Sequence, residues 1–192
     1  MISLMIRIAA ATHESEKAMR LFAQLEDNGF MEQVKPYNSL ISALGSSKRY
    51  ANTAIEYWRN MQSKGIAPDR HTTQAVLKAC SKLGDVQTAY DALQDMKIHN
   101  IKMTEHTYNG LIRTYAGAAA IRQVKEAHVD LYIEDAWKLF EQLKQDPELE
   151  VNIHVLNSLL LLYCNALRLD DLDARLLPLY EKHKIPHDVY TY

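Results

Sequence analysis

Apolar residues recur along this chain at the three- and four-residue spacing of amphipathic helices, and short polar turns separate successive apolar stretches. The stretches at 40–44 and 54–61 form one pair, and those at 76–80 and 89–96 form the next. The segment 45–47 (Gly-Ser-Ser) lies between the members of the first pair and favours a turn. Each pair therefore predicts a helical hairpin. One hairpin cannot bury its apolar stripe alone, so we expect neighbouring hairpins to stack into an all-α fold.

Two short sequence motifs return at a fixed distance, which indicates tandem repeats. Tyr-Asn-x-Leu-Ile occurs at Tyr37–Ile41 and at Tyr108–Ile112, and Leu156–Leu160 is a weaker copy. Lys-Gly-Ile-Ala-Pro-Asp, at Lys64–Asp69, closes a unit in the same register. The intervals correspond to a period of about 35 residues, which is typical of a helical solenoid. In such a protein the functional surface is shared by all repeats and is not a single pocket.

On these motifs the chain resembles the pentatricopeptide repeat family, whose unit opens with Val-x-Thr-Tyr-Asn-x-Leu-Ile and closes with Gly-Ile-x-Pro-Asp. The resemblance covers nearly the whole chain and implies an all-α, right-handed α-solenoid of tandem helical hairpins. It divides the single array over 1–192 into units 1–33, 34–69, 70–104, 105–152 and 153–188, with the start of a further unit at 189–192. Because the array begins and ends inside a unit, we expect a portion of a longer protein.

The tetratricopeptide repeat is the main alternative, because its period is about 34 residues. That family places glycine at a set point of the first helix, where this chain has Ile41, Leu77 and Ile112. The Pro-Asp ending is also of the pentatricopeptide type. These residues favour the pentatricopeptide interpretation.

The unit at 105–152 is longer than its neighbours because of an insert near 118–133. Ile121, Val124, Ala127 and Leu131 follow helical spacing within it, and this stretch contains neither proline nor glycine. We expect the insert to lengthen one or both helices of its hairpin. Two interpretations stay open: additional packing onto a neighbouring repeat, or a docking ridge for a partner such as the mitochondrial ribosome or another protein assembly.

The formal net charge of −2 is unusual for a nucleic-acid-binding protein, but the charges are unevenly distributed. The predicted first helices of the units (1–11, 34–48, 70–82, 105–117 and 153–168) contain eight basic residues and one acidic residue. The basic residues are Arg7, Lys35, Lys48, Arg70, Lys78, Lys82, Arg113 and Arg168, and the acidic residue is Glu105. In the resembled family these helices line the concave groove, so the resemblance implies a basic groove and an acidic outer face. Segregation of charge for solubility is the alternative explanation.

The sequence contains no motif typical of catalysis, such as a phosphate-binding glycine loop, HExxH or a nucleophile elbow. His183 and His187 are separated by Pro186, which interrupts the helix that would present both to zinc. We therefore expect no enzymatic activity, no cofactor and no metal. Cys80 and Cys164 lie on the apolar side of predicted helices and are expected to be buried. No apolar run is long enough for membrane insertion.

The resemblance also implies which residues recognise bases, because repeats of this kind contact one base per unit through two or three side chains. In the family these are the fifth and last residues of each unit. At the matching positions stand the pairs Ser3 with Gln33, Asn38 with Asp69, Gln74 with Thr104, Asn109 with Asn152, and Asn157 with Asp188. The family rule associates Asn–Asp with U and Asn–Asn with a pyrimidine, and it assigns nothing to the other two pairs. The predicted target is any–U–any–pyrimidine–U.

The second position of each unit departs from the family pattern, which places an aliphatic residue there. This chain has Lys35, His71, His106 and His154 at these positions. Histidine can stack on bases, and lysine can contact phosphates, as can Lys78, Lys82 and Arg113 on the same predicted helices. The alternative is that the groove has lost the ability to bind RNA and binds a protein instead.

The sequence therefore predicts a single-stranded RNA-binding repeat protein of an organelle, acting in RNA processing, stability or translation. Its expected location is the mitochondrion, with the plastid as the alternative. The second hypothesis is a structural scaffold subunit of a mitochondrial assembly such as the mitochondrial ribosome. The overall acidity, the two residue pairs without an assigned base and the insert support the scaffold, whereas Asn38, Asn109, Asn157 and the basic first helices support RNA binding.

Overall fold

The computed structural model describes residues 2–12, 14–28, 33–121 and 125–183, and all regular secondary structure in these ranges is α-helical. The predicted all-α fold class is confirmed. The helices are α1 Ile2–Ala11, α2 Ser15–Asp27, α3 Val34–Gly45, α4 Ala51–Ser63, α5 Arg70–Leu83, α6 Val86–Ile98, α7 Glu105–Ala119, α8 Glu126–Gln145, α9 Ile153–Ala166, α10 Leu169–Arg175 and α11 Leu177–Lys182. They fall into two compact units, one of residues 1–83 and 87–102, the other of residues 84–86 and 103–192.

In the first compact unit, α3 packs against α1, α2, α4 and α5. Its apolar residues Leu40, Ile41 and Leu44 are fully buried, as the helical spacing predicts. Gly45 ends α3 where this helix approaches α5 closely. A Cβ at Gly45 would lie 3.0 Å from the Ala75 carbonyl oxygen, so glycine permits the close packing of the two helices.

In the second compact unit, α9 packs against α7, α8, α10 and α11. Phe140 and Tyr163 are fully buried in the core of this unit. The Trp137 Nε1–H donates a hydrogen bond of 2.8 Å to the Tyr163 hydroxyl, which gives the indole a polar partner. Gly84 has φ +69°, and a Cβ there would lie 2.7 Å from the Ala118 Cα. Both the backbone conformation and the available space therefore require glycine at this position.

The second unit departs from regular hairpins at two places, in α8 and after α9. Residues 126–133 of the insert belong to α8, which has 20 residues against the 13 of α4, so this part of the insert lengthens the helix. After α9 the chain forms two short helices, α10 and α11, in place of one long second helix. Pro178 lies in the first turn of α11. Because proline lacks an N–H and its ring clashes with the preceding turn, it accounts for the interruption.

The expectation for one of the two cysteines is wrong. Cys80 is buried as predicted, but Cys164 is exposed. Cys164 lies two turns after Asn157 on α9 and therefore shares the face of that polar residue instead of the face that packs into the core.

Candidate nucleic-acid interface

The first compact unit contains an open cavity of about 670 Å³, here called the first-unit cavity. Its lining residues come from α3, from α5 and from the connection before α5: Lys35, Asn38, Ser39, Ser42, Asp69, His71, Gln74, Ala75 and Lys78. Lys35, Asn38 and Ser42 are spaced by three and four residues, as are His71, Gln74 and Lys78, so each set shares one helix face. The structure thus brings six of the predicted site residues of this unit into one cavity.

Asn38 and Asp69 are joined directly within the first-unit cavity. The Asn38 Nδ2–H donates to Asp69 Oδ1 over 2.8 Å. The Thr72 hydroxyl donates to Asn38 Oδ1 over 2.6 Å, and Thr72 itself is fully buried. Asp69 Oδ1 also accepts from the backbone N–H groups of His71 and Thr72, at 2.8 and 2.9 Å, at the start of α5. The pair is therefore held by the first turn of the following helix, which fixes both side chains.

The charge of Asp69 depends on this hydrogen bonding. Burial is the largest single influence and raises its pKa, but hydrogen bonds from Thr72, Asn38 and the His71 N–H together outweigh it. The pKa of Asp69 is therefore lowered, and its side chain is a carboxylate at neutral pH. The hydrogen bonds that the described residues make to the Asp69 carboxylate all end on Oδ1.

Basic side chains surround these polar groups. Lys35, His71 and Lys78 line the first-unit cavity and are exposed. Loss of hydration, and secondarily the positive charge of Lys82, lower the pKa of Lys78. A cavity with two lysines, an imidazole and a paired amide and carboxylate offers contacts to both phosphate and base.

The second compact unit contains an open cavity of about 580 Å³, here called the second-unit cavity. It is formed by one face of α7 and one face of α9, and its lining residues are Asn109, Arg113, His154, Asn157, Leu160, Leu161 and Cys164. Four predicted site residues of this unit meet there. The apolar part, from Leu160 and Leu161, distinguishes this cavity from the first-unit cavity.

The asparagines of the second unit have different partners from Asn38. Asn152 Oδ1 accepts from the Val155 N–H over 3.2 Å and so caps α9. Asn157 Oδ1 accepts from the Tyr180 hydroxyl over 2.6 Å. Asn109 contacts the Ser158 hydroxyl, which belongs to the next repeat. Asn109 and Asn157 thus occupy positions equivalent to Asn38 in sequence but have different hydrogen-bonding surroundings.

The remaining predicted residues lie elsewhere. Thr104, the predicted partner of Gln74, is in the second compact unit, where its N–H donates to Thr107 Oγ1 over 3.2 Å. Gln33 is exposed immediately before α3. His106 and Lys82 are exposed on α7 and α5, outside the lining of the two cavities. The Ser3 side chain and Asp188 lie outside the described residues.

Two of the eight basic residues that were expected on the first helices of the units do not lie on them. Lys48 follows the end of α3, and Arg168 follows the end of α9. The Arg168 guanidinium instead forms ion pairs with Glu126 at 3.1 Å and with Asp130 at 2.7 Å. The first helices as observed therefore carry six basic residues and one acidic residue, which still leaves them positively charged.

Sequence reasoning missed the hydroxyl groups that contact the predicted asparagines: those of Thr72, Ser158 and Tyr180. The hydroxyls of Thr72 and Ser158 come from the helix of the next repeat, so no motif within one unit contains them. The sequence does contain a partial signal. A half-buried asparagine amide requires hydrogen-bond partners for both its oxygen and its nitrogen, so further polar side chains were to be expected near each asparagine.

Among the residues that the structure describes, no cluster of three or more histidine, cysteine or acidic side chains could hold a metal ion. Within the same ranges, no helix has the length and apolar character needed to cross a membrane.

Comparison with known proteins decides the family. The sequence profile described as the pentacotripeptide-repeat region of PRORP matches residues 1–121. The chain belongs to the pentatricopeptide-repeat family. A chloroplastic pentatricopeptide repeat-containing protein of Arabidopsis thaliana is 29% identical over 127 residues, covering 65% of this chain and 25% of that relative. The small ribosomal subunit protein mS39 of Xenopus laevis is 30% identical over 115 residues, covering 56% of this chain and 17% of that protein.

Solved structures show the same fold. The PPR domain of Arabidopsis thaliana protein-only RNase P 1, in complex with tRNA, has a TM-score of 0.70 at 15% identity, covering 98% of this chain and 91% of that chain. The maize protein PPR10, in complex with an 18-nt psaJ RNA element, has a TM-score of 0.53 at 20% identity, covering 100% of this chain and 29% of that chain. This pentatricopeptide-repeat chain is thus a solenoid of helical hairpins. It spans a quarter or less of the length of the two curated relatives named above.

Proposed function

We propose that this pentatricopeptide-repeat chain binds single-stranded RNA in an organelle, the mitochondrion in the first instance, and acts in RNA processing, stability or translation. The observation that carries the proposal is the hydrogen-bonded pair Asn38–Asp69 in a cavity flanked by Lys35 and Lys78. The pair places an amide and a carboxylate side by side. A uracil edge offers the complementary acceptor and donor, at O4 and N3–H.

The mechanism is binding without catalysis by this chain. In the first unit, His71 would stack on a base, while Lys35 and Lys78 would contact phosphates. In the second unit, His154 and Arg113 have the corresponding roles around Asn109 and Asn157. The bound strand would be protected from nucleases or kept unpaired for another factor. Two structurally similar proteins, one in complex with tRNA and the other with an 18-nt RNA element, support this proposal.

Fluorescence anisotropy of the purified chain with labelled single-stranded RNA, at about 50 and about 150 mM salt, tests the proposal. We expect binding to a strand with U at the second and fifth positions, and weaker binding to poly-A or to a duplex. Asn38→Ala should reduce the preference for U, whereas Asn52→Ala, which changes an exposed amide on α4, should not. Equal affinity for the U-containing strand, poly-A and the duplex at low salt would refute RNA recognition.

A second candidate is a scaffold subunit of a mitochondrial assembly. It is favoured by the similarity to mS39, a small ribosomal subunit protein, by Leu131 on α8, which is 51% exposed, and by Ile121 just after α7, which is 43% exposed. Exposed apolar residues on a helix favour contact with another protein. If this function is correct, the protein should cosediment with small ribosomal subunits, and Leu131→Ser should weaken cosedimentation while leaving RNA affinity unchanged.

A further inference from the structure

Leu167 has a backbone conformation that leucine rarely adopts. It directly follows α9, with φ +56° and ψ +34°, in the left-handed region. The other described residues with positive φ are two glycines and an asparagine, the residue types that adopt this conformation most readily. The turn is well bonded, because the Arg168 N–H donates to the Tyr163 carbonyl oxygen over 3.1 Å. The end of α9 therefore requires this conformation, but it does not require a leucine.

Packing does not explain the leucine either. Leu167 is 83% exposed, so it adds almost nothing to the core of the second compact unit. Backbone strain that the core does not use is more typical of a functional surface than of an ordinary helix end. The residue type at this position is therefore a reason to look for a contact with another molecule.

Two further exposed leucines lie near Leu167. Leu169, two residues later, is 58% exposed, and Leu131 on α8 is 51% exposed. Arg168 joins the two segments, because its guanidinium contacts the Asp130 carboxylate at 2.7 Å, and Asp130 directly precedes Leu131. The three leucines therefore lie around one ion pair, and together they are here called the leucine surface.

The part of α8 that carries Leu131 contributes little to the core. Residues 126–132 are all exposed or half-buried, and the first buried residue of α8 is Ile133. These two turns are held instead from outside the helix, by the ion pairs that Arg168 makes with Glu126 and Asp130. A helical extension that is fixed by ion pairs and exposes a leucine is suited to contact with another molecule.

Acidic residues surround the leucine surface. In the segments 125–134 and 166–171, five residues are acidic and two are basic. The acidic residues are Glu126, Asp130, Glu134, Asp170 and Asp171, and the basic residues are Lys125 and Arg168. Because Arg168 is already paired within the chain, the surface keeps an excess of negative charge. Such a surface repels the phosphates of RNA and attracts lysine and arginine side chains.

We propose that the leucine surface docks a segment of another protein that carries lysine or arginine side chains beside apolar ones. The apolar side chains of this segment cover the three leucines, and its basic side chains pair with Asp170 and Asp171 at the start of α10. The surface lies outside the lining of the two cavities, so the inference goes beyond RNA binding and does not depend on it. It also gives the scaffold candidate a partner of defined chemistry.

Two peptides test the proposal with the ¹⁵N-labelled chain. One repeats leucine and lysine at helical spacing over about four turns, and the other has glutamate in place of each lysine. The lysine peptide should shift the backbone amide signals of residues 126–131 and 167–171, and the glutamate peptide should not. Equal binding of the two peptides, no binding of the lysine peptide, or shifts confined to other residues would overturn the proposal.

Single-stranded RNA provides the third arm of this experiment. If it shifts the same amide signals, the leucine surface belongs to a nucleic-acid site and the proposal of a protein partner is wrong. If RNA binds nowhere on the chain while the lysine peptide binds as expected, the proposed RNA-binding function fails and the docking surface stands.

Leu167→Gly separates partner contact from folding, because glycine adopts the left-handed conformation readily. The variant should unfold at a urea concentration equal to or above that of the unaltered chain, and yet bind the lysine peptide about ten-fold more weakly. A lower urea midpoint with unchanged peptide affinity would show a purely structural leucine and overturn the proposal. Ile98→Ser is the matched control, since Ile98 is 74% exposed at the end of α6, and it should leave the affinity unchanged.

A second pair of variants tests the charge. Asp170→Asn combined with Asp171→Asn should weaken binding of the lysine peptide about two- to five-fold at about 50 mM salt, and less at about 300 mM. Glu56→Gln combined with Asp91→Asn is the control, because these residues are exposed on α4 and α6 of the first compact unit. An equal loss in the control pair would mean that the peptide is attracted to the whole acidic protein, and it would overturn the proposal.

Discussion

Asp69 shows how one side chain can serve both the fold and the candidate site. Its Oδ1 accepts from two backbone N–H groups at the start of α5 and from Asn38, and this bonding lowers the pKa of the carboxyl group. The same atoms that begin the helix therefore orient the base-recognising amide. A change at Asp69 is expected to affect stability and recognition together.

We predict that Asp69→Ala reduces the free energy of unfolding at pH 7 by about 1–2 kcal/mol, the usual cost of losing a helix N-cap. Because the pKa of Asp69 is lower in the folded chain than in the unfolded chain, its contribution is present above the unfolded-state pKa. It is lost as the pH falls through the folded-state pKa. Urea unfolding at a series of pH values should therefore show the difference between the two proteins shrinking toward low pH.

Asp91→Ala provides the control, since Asp91 is an exposed carboxylate on α6 that accepts from Gln87. It should change the free energy of unfolding by less than about 0.5 kcal/mol. A constant difference between Asp69→Ala and the unaltered chain from pH 7 down to pH 2 would contradict the role of the ionised carboxylate.

The helices of each unit depend on close approaches that only glycine permits. Gly84 and Gly65 have nearly the same backbone conformation, with φ of +69° and +70°, but different surroundings. A Cβ at Gly84 would lie 2.7 Å from backbone atoms of Ala118, whereas, among the described residues, a Cβ at Gly65 would meet no atom within 4 Å beyond its chain neighbours. The two glycines therefore separate conformational strain from overpacking.

We predict that Gly65→Ala lowers the free energy of unfolding by about 1–2 kcal/mol, because alanine is strained at positive φ. Gly84→Ala should cost about 1–3 kcal/mol more, because the new methyl group displaces the backbone of α7. Chemical denaturation of the two variants measures the difference. Equal destabilisation would mean that α7 moves away from Gly84 without cost.

The whole chain has a formal net charge of −2, yet the first helices are basic. Binding to RNA should therefore depend on local charges at the cavities and not on the total. Each phosphate contact in a single-stranded complex contributes about 0.7 to the slope of log K against log salt. This relation allows phosphate contacts to be distinguished from base contacts.

We predict that replacing both Lys35 and Lys78 by alanine reduces the magnitude of the salt slope by about 1.4 and leaves the preference for U nearly unchanged. Replacing both Asn38 and Asn157 should remove the preference and leave the slope unchanged. Anisotropy titrations between about 50 and about 300 mM salt provide both quantities. Lys97→Ala with Lys138→Ala is the control, since these exposed lysines lie on α6 and α8, outside the two cavities. An equal loss of slope in the control pair would contradict a localised phosphate site.

Much of the fold and part of the site follow from the sequence because helical periodicity is local. Residues three, four and seven apart share a helix face whatever the neighbouring helices do, so Lys35 and Asn38 could be placed together on one face, and Asn109 and Arg113 on another. The resemblance to the pentatricopeptide repeat family paired Asn38 with Asp69 across 31 residues, and the two side chains are hydrogen-bonded. The buried apolar stripes of α3 follow for the same reason.

Only the tertiary structure decided which atom of each polar side chain takes part in a hydrogen bond within the protein. Thr72 contacts Asn38 across 34 residues, and Ser158 contacts Asn109 across 49 residues. Such contacts depend on how closely two helices pack and on the direction of one hydroxyl, and the spacing within a unit contains neither quantity. The exposure of Cys164 and the ion pairs of Arg168 were predicted wrongly for the same reason. Sequence determined which residues share a face, and packing between helices determined what those residues can still bind.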